Sequence, residues 1–202
     1  MRYTGPKGRI NRAVGAIIYE NTGAVKAFNK RETPPGMHGT RRSKKSEYGL
    51  AMLEKKKLKH FYGLHERQLR RFLELAQRSP QNTSDELLVL CERRLDNVIR
   101  RAGLAKTRPQ ARQGVHHGHF RVNGRRVTIP SYLTKPGDVI SVVEKAPIQA
   151  IYRTIVASDR SAPPGWLDLE TSTCTAKVLA TPSAADAGLP VEMSRVIVLL
   201  SR

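Results

Sequence analysis

Positive charge constrains this chain more than any other property, and it is spread unevenly. Residues 1–80 carry 19 Lys and Arg against 6 Asp and Glu, residues 81–145 carry 12 against 6, and residues 146–202 carry 5 against 5. The formal net charge of +19 repels itself in a compact state unless a polyanion neutralises it. Phosphate backbones are the commonest such partner, because Lys and Arg that pair with them release condensed counterions. A nucleic acid is the expected partner.

At 202 residues the chain has room for one large domain or two modest ones, with a substantial core. Hydrophobic residues make up 39%, enough for much of it to fold, while the most basic segments are expected to order against a partner. The two cysteines, Cys91 and Cys174, are too few for a disulfide framework or a four-thiolate zinc site. Cys91 falls on the apolar face of a predicted helix and reads as a small buried hydrophobe. The longest apolar run, Val196 to Leu200, is far short of the ~20 residues a membrane span needs. Met1 leads straight into Arg2-Tyr3-Thr4-Gly5-Pro6 with no signal-peptide hydrophobic region. A reducing, cytoplasmic setting is expected.

Residues 1–45 show little periodicity and read as an extended basic N-terminal arm. They carry scattered glycines, the cluster Pro34-Pro35-Gly36-Met37-His38-Gly39, and Arg41-Arg42-Ser43-Lys44-Lys45. A helix is predicted from near Ser46 to Tyr62, with Leu50, Leu53, Leu58 and Phe61 inward and Gly63 ending it. A second, about His65 to Arg78, puts Leu69, Phe72, Leu73 and Ala76 on one face and Arg67, Arg70 and Arg71 on the other. Ser79 to Asn82 reads as a linker.

The most readable stretch follows. Thr83 and Glu86 are spaced for a capping box that opens a helix with Leu87, Leu88, Cys91, Leu95, Val98, Ile99 and Ala102 inside, closed by Gly103. Its Arg93, Arg94, Arg100 and Arg101 are expected opposite the leucines. Thr107 and Gln110 form a second capping box, with Pro109 tolerated in the first turn of a helix reaching about His117. Asn123-Gly124 then supplies a two-residue hairpin turn between Phe120–Val122 and Arg125–Ile129, and Val139 to Val143 is a further strand. After Lys145 the chain turns neutral. Pro163-Pro164-Gly165-Trp166-Leu167 marks a surface turn with an anchoring aromatic, Cys174 to Leu179 is a short strand or helix, and Arg195 to Leu200 is a buried segment.

Arg108, Arg112 and His116 lie four residues apart and form one polar ridge. Lys106 sits just ahead of that helix, where amide donors favour a phosphate, and Arg121, Arg125 and Arg126 surround the hairpin turn. Ordinary surfaces intersperse both signs of charge; here only Glu92 and Asp96 interrupt the set. Aromatics are 5%, with no glycine–aromatic platform, so recognition of RNA shape through backbone and 2′-hydroxyls is expected rather than base stacking. His116-His117-Gly118-His119 lacks a neighbouring thiolate or carboxylate cluster, so no metal is expected. No phosphate-binding glycine loop, nucleophile elbow or carboxylate pair can be named. Neither a cofactor nor an enzyme is expected.

Glu92-Arg93-Arg94-Leu95-Asp96-Asn97-Val98, His117 through Val127 and Ile129-Pro130-Ser131-Tyr132 resemble the S-four RNA-binding domain. Arg2 to Pro6, Pro34 to Gly39, Ser46-Glu47-Tyr48-Gly49, Lys57 to Gly63, Pro164-Gly165-Trp166-Leu167 and Val196-Ile197-Val198 with Ser201-Arg202 extend the resemblance to the small-subunit ribosomal protein S-four family of bacteria and organelles. The resemblance implies direct, early binding to a multi-helix junction of small-subunit ribosomal RNA. It also implies a place beside ribosomal protein S-five near where messenger RNA enters the subunit, and an influence on decoding accuracy. The implied setting is a cytoplasmic ribosome rather than a plastid one. Many bacterial members carry an N-terminal cysteine cluster for zinc or an iron–sulfur centre; residues 1–45 contain no cysteine, so basic residues and RNA contacts are expected to order the arm.

The expected fold is α+β: the arm (1–45), a helical domain (46–82) closed by the C-terminal segment (146–202), and an inserted module (83–145) of two helices packed on a short antiparallel sheet. The expected RNA contacts are Arg2, Tyr3, Arg41, Arg42, Lys44, Lys45, Arg67, Arg70, Arg71, Lys106, Arg108, Arg112, His116, Arg121, Arg125 and Arg126, with the N-terminal loop inserting backbone between RNA helices. Two rivals use the same module: an RNA-modifying enzyme, such as a pseudouridine synthase, and a regulator that represses translation by binding messenger RNA.

Overall fold

The computed structural model describes residues 3–39, 44–158 and 162–201. Its first four helices are α1 (Lys7–Val14), α2 (Thr22–Lys30), α3 (Glu47–Phe61) and α4 (Glu66–Gln77). Then come α5 (Thr83–Glu92), α6 (Leu95–Arg101) and α7 (Arg108–His116), followed by strands β1 (Phe120–Val122), β2 (Arg125–Arg126) and β3 (Val139–Val142). The chain continues through α8 (Ala146–Ser158), β4 (Leu167–Glu170) and β5 (Thr175–Val178) to α9 (Met193–Leu200). Helices and an antiparallel sheet make the fold α+β. Two compact units form, one within Met1–Ser84 and Leu189–Arg202, the other Asp85–Gly188.

In the first unit the basic arm is not extended. Ile10 and Val14 lie one turn apart on α1 and bury with Ile18, Tyr19 and Ala24, and Tyr3, Ala16 and Phe61 pack against them. Asn11, wholly buried, ties the turn that follows: its Nδ2 donates to the Tyr19 carbonyl (3.1 Å), and its Oδ1 accepts the amides of Ile18 (3.1 Å) and Tyr19 (3.0 Å). Three backbone groups that would otherwise be unpaired in the interior are satisfied by one side chain. Arg12 donates to the carbonyls of Thr33 (2.9 Å) and Pro34 (3.3 Å). An apolar cluster and a buried amide, both within the protein, therefore order residues that were expected to need RNA.

The Ser46 hydroxyl accepts the Gly49 amide (3.2 Å) at the start of α3. Gly63, at φ 62°, adopts beyond its end the left-handed conformation that glycine reaches without a Cβ penalty. The Tyr19 hydroxyl lies 3.1 Å from His60 Nδ1 on α3, and the Tyr3 ring meets the same imidazole edge-on at 5.2 Å. Burial, with Lys56 and Lys59 adding repulsion, lowers the His60 pKa to about 4, so the ring packs there neutral. On α4, Leu69, Phe72, Leu73 and Ala76 are buried, as their 3.6-residue spacing requires. On α9, Val196 and Leu200 are buried one turn apart, Arg195 pairs with Glu47 at 3.5 Å, and the Glu192 amide donates to Glu54 (3.1 Å). Here the β-branched run is a helix rather than an unspecified buried segment.

The second unit holds a five-stranded antiparallel sheet, ordered β2-β1-β3-β5-β4. Its register sets Phe120 opposite Val142, Val122 opposite Ile140, and Ile140 opposite Ala176. These side chains share a core with Leu95, Val98 and Ile99 of α6, Ala111 and Val115 of α7, and Tyr152 and Ile155 of α8. Asn123 and Gly124, at φ 50° and 78°, make the hairpin turn whose twist suits the strands it joins. Asn123 locks the turn, donating to Asp138 (2.8 Å) and accepting the Val139 amide (2.9 Å).

Two expectations are corrected here. Residues 146–202 do not pack as one segment on the helical unit: Leu189–Arg202 belongs there, whereas α8, β4 and β5 lie in the second unit. The reason is the apolar side of β4–β5, where Leu167, Ala176 and Val178 complete the sheet's core and Trp166 buries beside them. The helix predicted over 83–102 is also broken. Arg94 is extended (φ −65°, ψ 136°) and bridges to Leu133, and the Leu95 amide donates to the Tyr132 carbonyl (2.8 Å). A strand-like contact at this point ends α5 and restarts the chain as α6.

Candidate nucleic-acid interface

The ridge on α7 is built from its first turn. Thr107 Oγ1 accepts the Gln110 amide (3.3 Å), and Gln110 Oε1 accepts the Lys106 amide (3.0 Å); half of the capping box forms as spaced, and the reciprocal bond falls one residue earlier. With Ala111 and Val115 buried, Arg108, Arg112 and His116 share the opposite side. His116 and Lys106 are exposed, and Arg108 and Arg112 are half-buried. Arg108 Nε donates to Asn97 Oδ1 (2.7 Å), and Arg112 Nη1 donates to Asp96 Oδ2 (3.2 Å).

Acidic groups in this region lie inside the fold. Glu92 and Asp96 are 0% and 5% exposed. Glu92 accepts Arg101 Nε (3.0 Å) and Nη2 (2.9 Å), and Asp96 accepts Arg94 Nε (3.1 Å) and Nη2 (2.9 Å). Both are two-pronged pairs, the geometry in which a guanidinium best matches a carboxylate. Arg94 is 1% exposed, so the expectation that it faces solvent opposite the leucines is wrong. The break at Arg94 turns it inward, and desolvating a guanidinium is tolerable only beside a matched carboxylate. Arg93 is likewise engaged, donating to the Thr134 carbonyl (3.0 Å).

The hairpin adds cations without local acids in its register: Arg121 stands opposite Arg126, and Val122 opposite Arg125. Like charges directly opposite on paired strands destabilise the pair, a cost that a bound anion removes. Arg125 and Arg126 are exposed and Arg121 is half-buried; Arg126 also donates to the His117 carbonyl (3.1 Å). In the first unit, Arg67, Arg70 and Arg71 lie exposed on α4, as do Lys44 and Lys45 ahead of α3. Tyr3 is half-buried against His60, and its hydroxyl donates to the Pro6 carbonyl (3.4 Å), so much of its ring serves packing. Arg2, Arg41 and Arg42 lie outside the described residues.

The sequence marks Asp96 only as an interruption of the basic set and assigns Asn97 no role, yet the two hold Arg112 and Arg108. A signal was present: two polar residues sit between Leu95 and Val98 on the buried side of an apolar-periodic segment, and such residues persist there only when bonded.

Among the described residues, no group of three or more His, Cys, Asp or Glu side chains is placed to hold a metal ion. His117 and His119 rings lie 5.7 Å apart, and His119 Nδ1 is 3.1 Å from the Tyr152 hydroxyl. Burial, then His117 and Arg126, lowers the His119 pKa; burial raises that of Tyr152 to about 12 and pushes the Cys91 thiol upward. Among the described residues no helix is long and apolar enough to cross a membrane.

Comparison with known proteins gives this arrangement its context. Residues 2–92 match the family described as Ribosomal protein S4/S9 N-terminal domain, and residues 93–140 match the S4 domain; the boundary falls at the break between α5 and α6. A protein of Rhodopirellula baltica named small ribosomal subunit protein uS4 is 52% identical over 203 residues, covering 100% of this chain and 99% of its own length. Proteins of the same name are 45% identical in Pelotomaculum thermopropionicum (100% and 99% covered) and 44% identical in Persephonella marina (97% of each). With identity of this order sustained from end to end, across both the helical unit and the cationic sheet unit, the chain belongs to the small ribosomal subunit protein uS4 family.

Proposed function

We propose that the protein is a structural constituent of the small ribosomal subunit that binds small-subunit ribosomal RNA directly and acts early in subunit assembly. The observation that carries this reading is the segregation of charge: acids near α7 are buried and matched by Arg94 and Arg101, while Lys106, His116, Arg125 and Arg126 are exposed. Such a surface attracts phosphate. Contacts are assigned to Lys106, Arg108, Arg112, His116, Arg121, Arg125 and Arg126 in one unit, and to Lys44, Lys45, Arg67, Arg70 and Arg71 in the other. Membership of the uS4 family supports the particle, and the basic ridges support RNA as the ligand within it. Ribosomal protein S-five as a neighbour, contact with messenger RNA where it enters, support of decoding accuracy and a cytoplasmic ribosome complete the reading.

Sedimentation tests it. Added to small-subunit ribosomal RNA, the purified protein is expected to co-sediment with it at salt that strips non-specific complexes. Release at the same salt as from unrelated RNA contradicts the assignment.

A further inference from the structure

The interior partners of Asp96 and Asn97 bear on how the α7 ridge works. Arg94 closes on Asp96 with both prongs, at 3.1 and 2.9 Å, from a position 1% exposed. The carboxylate's charge is thereby matched within the fold before Arg112 reaches it, at 3.2 Å and with its own side chain 21% exposed. The trio of Arg94, Asp96 and Arg112 keeps one net positive charge, its outermost member being the half-buried Arg112. A parallel arrangement serves Arg108. Asn97 donates its Nδ2 to the Glu92 carboxylate (2.6 Å) and carbonyl (3.1 Å), leaving Oδ1 to accept Arg108 Nε (2.7 Å). Arg101 matches the charge of Glu92 at 2.9 Å, and Asn97 is itself neutral.

We infer that Asp96 and Asn97 are positioning residues for RNA binding: they fix the Arg112 and Arg108 guanidiniums on the α7 ridge through anchors whose own charge is cancelled inside the fold. This rests on the RNA-binding reading above. A direct surface pair with an acid would also immobilise an arginine, but that acid would compete with phosphate for it. Here Arg108 gives Nε to Asn97 and Arg112 gives Nη1 to Asp96, and neither anchor adds a net negative charge to the ridge. A long, rotamer-rich side chain already held in place has less freedom to lose when phosphate binds. The adjacent anchors on α6 hold arginines four residues apart on α7, so one turn of α6 sets the spacing of two phosphate-facing groups.

The alternative is that these bonds merely fasten α7 to α6. A double-mutant cycle on the full-length protein separates the two, with binding to a small-subunit ribosomal RNA transcript measured across a salt series. Asn97→Ala is expected to weaken binding by roughly 3- to 10-fold, the cost of re-ordering one long side chain, with the log–log salt slope unchanged. Arg108→Ala weakens binding and lowers the slope by about one, and adding Asn97→Ala to it costs nothing more. An equal loss from Asn97→Ala in both backgrounds, or wild-type binding by folded Asn97→Ala, overturns the inference. Should Asn97→Ala fail to fold, Arg108→Lys keeps the charge without the guanidinium anchor and is expected to show the same loss at unchanged slope; wild-type affinity from Arg108→Lys overturns it equally. If wild-type protein binds the transcript and Arg108→Ala weakens it while Asn97→Ala does not, only the positioning role fails. A wild-type protein indifferent to the transcript removes both readings.

Discussion

Arg94→Ala is expected to destabilise the Asp85–Gly188 unit by about 3–5 kcal/mol, the usual cost of breaking a buried ion pair from one side. Asp96 would remain interior with only the single bond from Arg112 at 3.2 Å, having lost the two-pronged pair that matches its charge. Against the ~5–15 kcal/mol total stability of most domains, that loss is large. The backbone bridge from Arg94 to Leu133 does not depend on the side chain, so the effect reports the side chain and not the bridge. Urea unfolding followed by Trp166 fluorescence reads this unit alone, because the chain has one tryptophan and it lies buried in this core. An unfolding free energy within ~0.5 kcal/mol of wild type, the range of ordinary surface changes, would show that the pair does not support the fold. Arg94→Lys is expected to fall between, since an ammonium cannot reproduce the planar fork.

The second large effect is on binding. Arg108→Ala combined with Arg112→Ala is expected to weaken small-subunit ribosomal RNA binding roughly 100-fold, taking about 1.5 kcal/mol for each charge-assisted contact. The salt slope should fall by about two, one for each phosphate no longer neutralised. The fold should survive, because Asp96 keeps both bonds to Arg94 and Asn97 keeps its bonds to Glu92. Unchanged circular dichroism and Trp166 fluorescence check that point. A double variant that binds with wild-type slope would remove the ridge from the RNA-facing surface. The two experiments probe opposite ends of one network: the inner arginine is expected to support the fold, and the outer pair to meet the ligand.

The ridge was legible in the sequence because a helix imposes its spacing locally. Residues four apart share a face whatever the rest of the chain does, and the Thr107 cap and Asn123-Gly124 turn are equally local signals. Arg94 was illegible for the opposite reason. The apolar series Leu87, Cys91, Leu95, Val98, Ile99 and Ala102 runs through the break with nearly helical spacing, and what interrupts it is a bridge to Leu133, 39 positions away. The arm misled through composition. Its cations dominate, yet Ile10, Val14, Ile18, Tyr19 and Ala24 suffice for a small core once Asn11 satisfies the intervening backbone, a contact visible only in three dimensions. Strands β4 and β5 belong to the second unit through pairing of β5 with β3, and strand pairing between distant segments leaves no short-range trace. Charge, by contrast, was legible as a total but not by residue: the arginines at 94 and 101 serve interior carboxylates, while those at 125 and 126 are exposed.

The central claim is that these cations are arranged for folded ribosomal RNA and not for negative charge in general. Competition binding measures this directly: labelled small-subunit ribosomal RNA is held by the protein while an acidic polymer, such as polyglutamate or heparin, is titrated in at physiological salt. The account predicts a preference for the ribosomal RNA of roughly 10³-fold or more, the scale that separates specific from non-specific complexes of nucleic-acid-binding proteins. Displacement by the acidic polymer at matched charge concentration would contradict it.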